Sequence, residues 1–206
     1  MLTLAIDCAT EACSVALFDG NERLAGELRL LGRGHAEQLI PMISALPGRG
    51  QAQRIAVALG PGSFTGVRVG IAAARALALA WNAELLGYPT LSLIAAMARR
   101  AHGRGPLAVA MTGGHGEWFV QRFDAGGNAT EALASRQPAD AAANIGEVLI
   151  AGSQARALVA LRRHGEALEL LPDASAFNLL APDILTRDVR PIYGRGPDAR
   201  LPVGAA

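Results

Sequence analysis

The sequence predicts an α/β protein made of two units of similar plan, and three observations predict it. The first thirty residues read as a β-meander. A short apolar strand at 54–59 then runs through a glycine-rich loop into a long helix that ends near Asn82. After His102-Gly103-Arg104-Gly105-Pro106, a stretch with the composition of a linker, strand-like segments start again and alternate with helices. The boundary is accordingly placed between an amino-terminal lobe, 1–104, and a carboxy-terminal lobe, 105–206, although residue identity between the halves is too faint to read as a repeat.

In the first half, Leu2, Leu4 and Ile6 alternate with Thr3, Ala5 and Asp7, and a second apolar run covers Ser14 to Phe18. Asp19-Gly20 marks a hairpin turn into a third strand at 23–30. A helix from His35 to Leu46 follows, with Leu39, Met42, Ile43 and Leu46 on one face, and Pro41 inside it predicts a kink or a late start. In the long helix Gly66, Gly70, Ala74 and Ala78 recur every four residues and form a small-residue ridge that admits another backbone. Arg68 and Arg75 share a different edge. A strand near 84–88 and a helix to about Arg100 close the half. In the second half strands are expected at 107–111, 118–123, 148–151 and 167–171, with a helix at 153–164.

Composition narrows the chemistry. With 51% hydrophobic and 18% charged residues, the 206-residue chain can bury a core. All 19 basic side chains are arginine, which excludes a P-loop lysine and Schiff-base chemistry and also fits a GC-rich genome. A net charge of +1 does not suit a dedicated nucleic-acid binder, so any contact with RNA is expected to be indirect. Cys8 and Cys13 are too few for a disulfide framework and lack zinc-site spacing, so both are expected to pack as small apolar groups. The amino terminus lacks the basic and apolar regions of a signal peptide, and no uncharged apolar run reaches about 18 residues, so a cytoplasmic protein without a membrane span is expected.

The loop Gly60-Pro61-Gly62-Ser63-Phe64-Thr65-Gly66 has two readings. A glycine turn between strand and helix can cradle a phosphate on backbone N–H groups, or it can simply permit a tight turn and close helix packing. Its G-x-G-x-x-x-G spacing is neither the dinucleotide fingerprint nor a P-loop. Asp7 and Thr10 pose the same choice, between orienting magnesium and a phosphate and capping a turn. Asp7, Thr10, Gly60, Gly62 and Ser63 are thus the candidate nucleotide or phosphate contacts. The four histidines show no metal-binding helical spacing, and no Gly-x-Ser-x-Gly elbow is present.

The segments AIDCATEACSVALFDG at 5–20, HAEQLIPMI at 35–43 and ALGPGSFTGVRVGIAAARALALAW at 58–81 together resemble the TsaB (YeaZ) family. Pro191-Ile192-Tyr193-Gly194-Arg195 is similar to that family's carboxy-terminal Pro-x-Tyr-x-Arg segment. The resemblance implies a two-lobed fold of the actin, Hsp70 and sugar-kinase type, each lobe a mixed sheet with packed helices. It also implies a scaffold subunit in threonylcarbamoyl modification of tRNA adenosine, whose partners are a catalytic paralogue, TsaD, and an ATPase, TsaE, with a weak homodimer expected of the chain alone. TsaD holds a metal on a His-x-x-x-His helix; the corresponding positions here are Thr90 and Ile94, which implies a non-catalytic chain with no metal or cofactor of its own. The resemblance allows ATP or ADP with magnesium at a shared interface, and the sequence leaves open whether the chain binds nucleotide alone. The resemblance implies a partner interface on helices 36–46 and 66–81, at Leu39, Met42, Ile43, Leu46, Gly66, Arg68, Gly70, Ala74 and Arg75, while the residues themselves leave open that these stripes face the chain's own core. The chain departs from the family at Thr112-Gly113-Gly114-His115, where Asp-Ala-Arg is expected, and is shorter across 175–190. The alternative from the residues themselves is a small-molecule phosphotransferase of the same fold, and a peptidase reading lacks both metal ligands and a nucleophile pair.

Overall fold

A computed structural model describes residues 1–194. The first sheet comprises β1 (Leu2–Asp7), β2 (Ala12–Asp19), β3 (Glu22–Leu30), β4 (Arg54–Ala58) and β5 (Glu84–Tyr88) in the order β3-β2-β1-β4-β5. The meander β1-β2-β3 is antiparallel, and β4 and β5 add in parallel on the other side of β1. Parallel addition needs crossovers, supplied by α1 (His35–Ala45) and α2 (Phe64–Trp81). A third helix, α3 (Thr90–His102), leads to the second sheet: β6 (Leu107–Thr112), β7 (Trp118–Phe123), β8 (Ala134–Arg136), β9 (Leu149–Ala151) and β10 (Glu166–Leu168). Its order, β10-β9-β6-β7-β8, repeats the first, with β6-β7-β8 antiparallel and β9 and β10 added in parallel. The helices α4 (Pro138–Asn144) and α5 (Ala155–Arg162) belong to this half. Topology therefore shows the duplicated plan that residue identity conceals.

The two halves exchange material across the linker. Leu91, Ile94, Ala95 and Ala98 of α3 pack with Leu107, Val109 and Met111 of the second sheet, while Leu93 belongs to the first core. In the opposite direction, residues 172–192 return to the first sheet. Ala174 joins Ala5, Ala16 and Phe18, and Phe177 tilts against Phe18 and Tyr88 at centroid separations of 5.9 and 5.8 Å. Thr186 bridges Gly87 at the edge of β5, and the Ile192 N–H donates to the Leu59 carbonyl at 2.7 Å.

Alternation along β1 assigns its two faces. Leu4, Ile6 and Cys8 point to the helical layer, where Leu39, Met42 and Ile43 of α1, followed by Leu46, meet Val15 and Leu17 of β2. For these four residues at the α1 stripe the sequence leaves two readings, a partner interface and the protein's own sheet. They are buried in the protein's own core, so their roughly 1.5–3 kcal/mol each goes into folding. Gly66, Gly70 and Ala74 are corrected in the same way, because their ridge admits β1 rather than a second protein. A Cβ at Gly66 would collide with the Cys8 carbonyl, and one at Gly70 would touch the Cys8 side chain at 3.5 Å. The first helix begins at His35, not late, and continues through Pro41, which is exposed along with Glu37, the residue whose carbonyl loses its donor. At 18 residues and mean hydropathy 1.3, α2 is long and apolar enough by length and composition to cross a membrane. Here it carries Arg68 and Arg75, and its small-residue face packs on the sheet.

Asp7 lies on the opposite face of β1 from the helices. It is fully buried; one carboxylate oxygen accepts the Ala9 N–H at 2.9 Å and the other has no partner. Burial drives its pKa up from 3.8 to about 7, against the lowering effect of the Ala9 N–H and of Tyr88. The folded protein thus retains a proton that the unfolded chain gives up above pH 3.8. The contribution of this carboxyl to stability is greatest in acid and declines as pH rises from about 4 to about 7, by a few kcal/mol in order of magnitude. Urea denaturation at stepped pH should show this decline in the wild type and a flatter profile for Asp7→Asn. In the same assay Leu39→Asp should lose at least about 3 kcal/mol, since a carboxylate would enter a closed apolar layer.

Candidate functional site: the cleft between the two sheets

The loop between β4 and α2 is held by the turn between β1 and β2. The Ser63 N–H donates to the Ala9 carbonyl at 2.7 Å, and a Cβ on Gly62 would collide with that carbonyl, so only glycine allows the approach. Ser63 caps α2, its Oγ accepting the Gly66 N–H at 3.2 Å. The amino-terminal end of α2 therefore faces the space between the two sheets, where a cleft of about 830 Å³ opens.

One wall of the cleft is Thr10, Glu11, Gly62, Ser63 and Phe64; the other is the Thr112–His115 turn with Ser153 and Phe119, and the returning segment Pro191–Gly194 closes one side. The second wall is tied down by Ser153, whose Oγ accepts the Thr112 N–H at 3.1 Å, and by Gln154, which donates to the Thr112 hydroxyl at 2.8 Å. At the mouth the Arg68 guanidinium lies 3.2 Å from the centroid of the Phe64 ring and 5.3 Å from that of Tyr193. It donates to the Phe64 carbonyl at 2.8 Å and to the Tyr193 hydroxyl at 2.7 Å. Apolar groups, among them Val67, Met111, Phe119 and Ile192, make up much of the remaining lining.

Thr10, Gly62 and Ser63 stand together in this cleft. Two other candidates do not. Asp7 is on the far face of β1 and forms no part of the lining, so it is corrected from a ligand contact to a buried core carboxyl. Gly60, at φ 90° and followed by a cis bond to Pro61, sits behind the loop, where its carbonyl accepts the Thr90 N–H. Arg68, expected on a partner interface, belongs to the cleft mouth, and Arg75 donates to the Val189 carbonyl at 2.6 Å, holding the returning segment. Arg195 of the carboxy-terminal motif lies outside the described residues. Sequence reading missed Phe64, Phe119, Ser153 and Tyr193 as lining; an aromatic at the second position after Gly62, in an otherwise small and polar loop, was the available signal for Phe64.

Thr90 and Ile94 occupy one face of α3 and are both fully buried, Thr90 with its hydroxyl unpartnered. Among the described residues no three His, Cys, Asp or Glu side chains gather as a metal site. The solvent side of the helical layer has a different character. Ile40, Pro41 and Ser44 on α1 and Ala72, Ala76, Leu79 and Ala80 on α2 are exposed, Leu79 at 86%, and the charged residues exposed on these helices are Glu37 and Arg75.

Residues 29–174 match the family model described as TsaD, tRNA N6-adenosine threonylcarbamoyltransferase. A curated relative from Escherichia coli, the tRNA threonylcarbamoyladenosine biosynthesis protein TsaB, is 38% identical over 144 residues, covering 65% of this chain and 62% of the relative, just under two thirds of its length. A solved structure from Pseudomonas aeruginosa, described as an uncharacterized protein with similarity to peptidase YeaZ, superposes with a TM-score of 0.79 at 26% identity, covering 94% of this chain and 99% of that one. The ethanolamine utilization protein EutJ from Carboxydothermus hydrogenoformans shares the fold alone, at a TM-score of 0.51 and 11% identity over 88% of this chain and 90% of its own. With two mixed sheets of the same plan, a cleft between them and these matches, the chain has the two-lobed actin/Hsp70-like fold and belongs to the tRNA N6-adenosine threonylcarbamoyltransferase family, on its TsaB/YeaZ branch.

Proposed function

We propose that this chain is a non-catalytic subunit in the threonylcarbamoyl modification of tRNA adenosine, acting in the cytoplasm by binding a TsaD-type catalytic subunit, with a TsaE-type ATPase joining the pair and tRNA contacted indirectly. The observation that carries the reading is the apolar outer face of α1 and α2, in a chain whose E. coli relative is named for this pathway. Leu79 and Ile40 are exposed aliphatic side chains flanked by alanines that bring little steric bulk, so a partner's helices can approach closely. The inner stripe is committed to the core, so the contact shifts from Leu39, Met42, Ile43 and Leu46 to this opposite face. The same surface serves a weak homodimer when the partner is absent. The buried Thr90 and Ile94, at the positions that correspond to metal-ligating histidines, support assignment of the chemistry to the partner.

A second reading, a phosphotransferase, is favoured by the cleft and by the α2 amino-terminal N–H groups that face it. Against it stand the position of Asp7 behind the sheet and the apolar groups in the lining. Nucleotide with magnesium then belongs to a site completed by the partner.

Light scattering on this chain mixed with the TsaD-type protein of the same organism should show a stable heterodimer, and tRNA modification by the reconstituted components should require it. Leu79→Asp and Ile40→Asp should each weaken association by at least about tenfold, the effect of losing an interface anchor, while thermal unfolding stays near wild type. Association unchanged in both variants would overturn the placement of the interface. Turnover of ATP and a small acceptor by the chain alone would favour the phosphotransferase.

A further inference from the structure

Cys8 and Cys13 face each other at the turn end of the β1–β2 hairpin. The register of the pair runs from Leu2↔Asp19 to Asp7↔Ser14, so the next opposed pair is Cys8 and Cys13. Their sulfurs are 3.6 Å apart, within thiol hydrogen-bonding reach, and both thiols are free and buried. Opposed residues on antiparallel strands have Cα atoms about 4.5–5.5 Å apart, inside the range of about 4.4–6.8 Å that a disulfide bridges. We propose that Cys8 and Cys13 form a reversible redox modification site, a dithiol that a hydroperoxide converts into a cross-strand disulfide.

The two thiols are electronically unequal. The hydrogen bond from Cys8 holds Cys13 below the usual thiol range, helped by Arg29 and opposed by burial, while Cys8 is pushed well above it, first by the same bond and then by burial. Arg29 is the residue opposite Cys13 on β3, and Glu27 and Asp7 are the acidic groups that act against ionisation. Cys13, with Arg29 opposite it on β3, is assigned the attacking role. Its thiolate displaces one oxygen of hydrogen peroxide, leaving a sulfenic acid and, after proton transfer, water. Cys8 then attacks that sulfur, the S–O bond breaks, and a second water leaves. Two thiols and one peroxide thus give one disulfide and two waters, the two electrons passing from sulfur to peroxide oxygen.

The modified turn is the one that positions the cleft. Residues 9–12 lie inside the loop that the new bond would close. The Ala9 carbonyl receives the Ser63 N–H, the Glu11 carbonyl receives the N–H groups of Leu31 and Gly32, and Thr10 is part of the lining. A disulfide pins that turn beneath the start of α2 without adding bulk toward it.

The test uses the full chain, folded and reduced, exposed to hydrogen peroxide, then unfolded, alkylated and weighed. Two alkyl groups are expected before peroxide and none after, with loss of the mass of two hydrogens in the tryptic peptide 1–23 and recovery of both thiols on adding dithiothreitol. Two alkylatable thiols after peroxide, added oxygen on either cysteine, or linkage between chains would each overturn the proposal. Cys8→Ala and Cys13→Ala should each abolish the two-hydrogen mass loss in peptide 1–23, since the remaining cysteine has no partner within the chain at this position. Should either variant fail to fold, the peptide masses of the wild-type chain decide the matter alone.

Discussion

The first turn of α2 lies directly against the backbone at residues 8 and 9, and much else follows from that contact. It is possible only because Gly62 and Gly66 have no side chain: a single methyl at either position would meet a carbonyl oxygen, of Ala9 or Cys8. The helix is thereby fixed with its small-residue ridge on the sheet and its amino-terminal end toward the second lobe. The same rotation turns Ala72, Ala76 and Leu79 outward. One close approach therefore determines where the cleft opens, which groups line its near wall and which surface faces solvent.

The second constraint is the exchange between halves. A simple hinge between two closed domains would leave each sheet with its own cover, but here α3 supplies apolar side chains to the second sheet and the returning segment covers the first. Arg75 and the carbonyl of Leu59 hold that return in place, and Tyr193 then reaches Arg68 across the cleft mouth. The cleft is lined from both lobes and from the segment that ties them together.

Much of this fold was legible in the sequence because strict alternation and long periodicity leave little choice. The alternation of Leu4 and Ile6 with Ala5 and Asp7 identified β1, and the four-residue repeat of Gly66, Gly70, Ala74 and Ala78 identified the packing ridge of α2. What that ridge packs against was not legible, because close approach to a strand and close approach to another protein demand the same small residues. The α1 stripe was ambiguous for the same reason. Asp7 could have been placed better: alternation with Ile6 already puts it on the face away from the helices and their glycine loop. β8, Ala134-Ser135-Arg136, has no apolar run of the kind that marked β9, and α4 at seven residues is too short for helical periodicity to register. The meeting of Arg68 with Tyr193, 125 residues apart, is a product of tertiary folding that no local pattern announces.

The returning segment also bears on how the chain is made. Phe18 and Tyr88 are covered by Phe177, and Ser14 is satisfied by the Ala174 N–H at 2.9 Å, so strands synthesised first are finished by residues synthesised near the end. A nascent amino-terminal half emerging from the ribosome exposes that aromatic face until almost the whole polypeptide has been delivered. Cooperative closure thus comes late in translation, and premature termination anywhere before residue 174 would yield a product with an open, sticky sheet rather than a smaller folded protein.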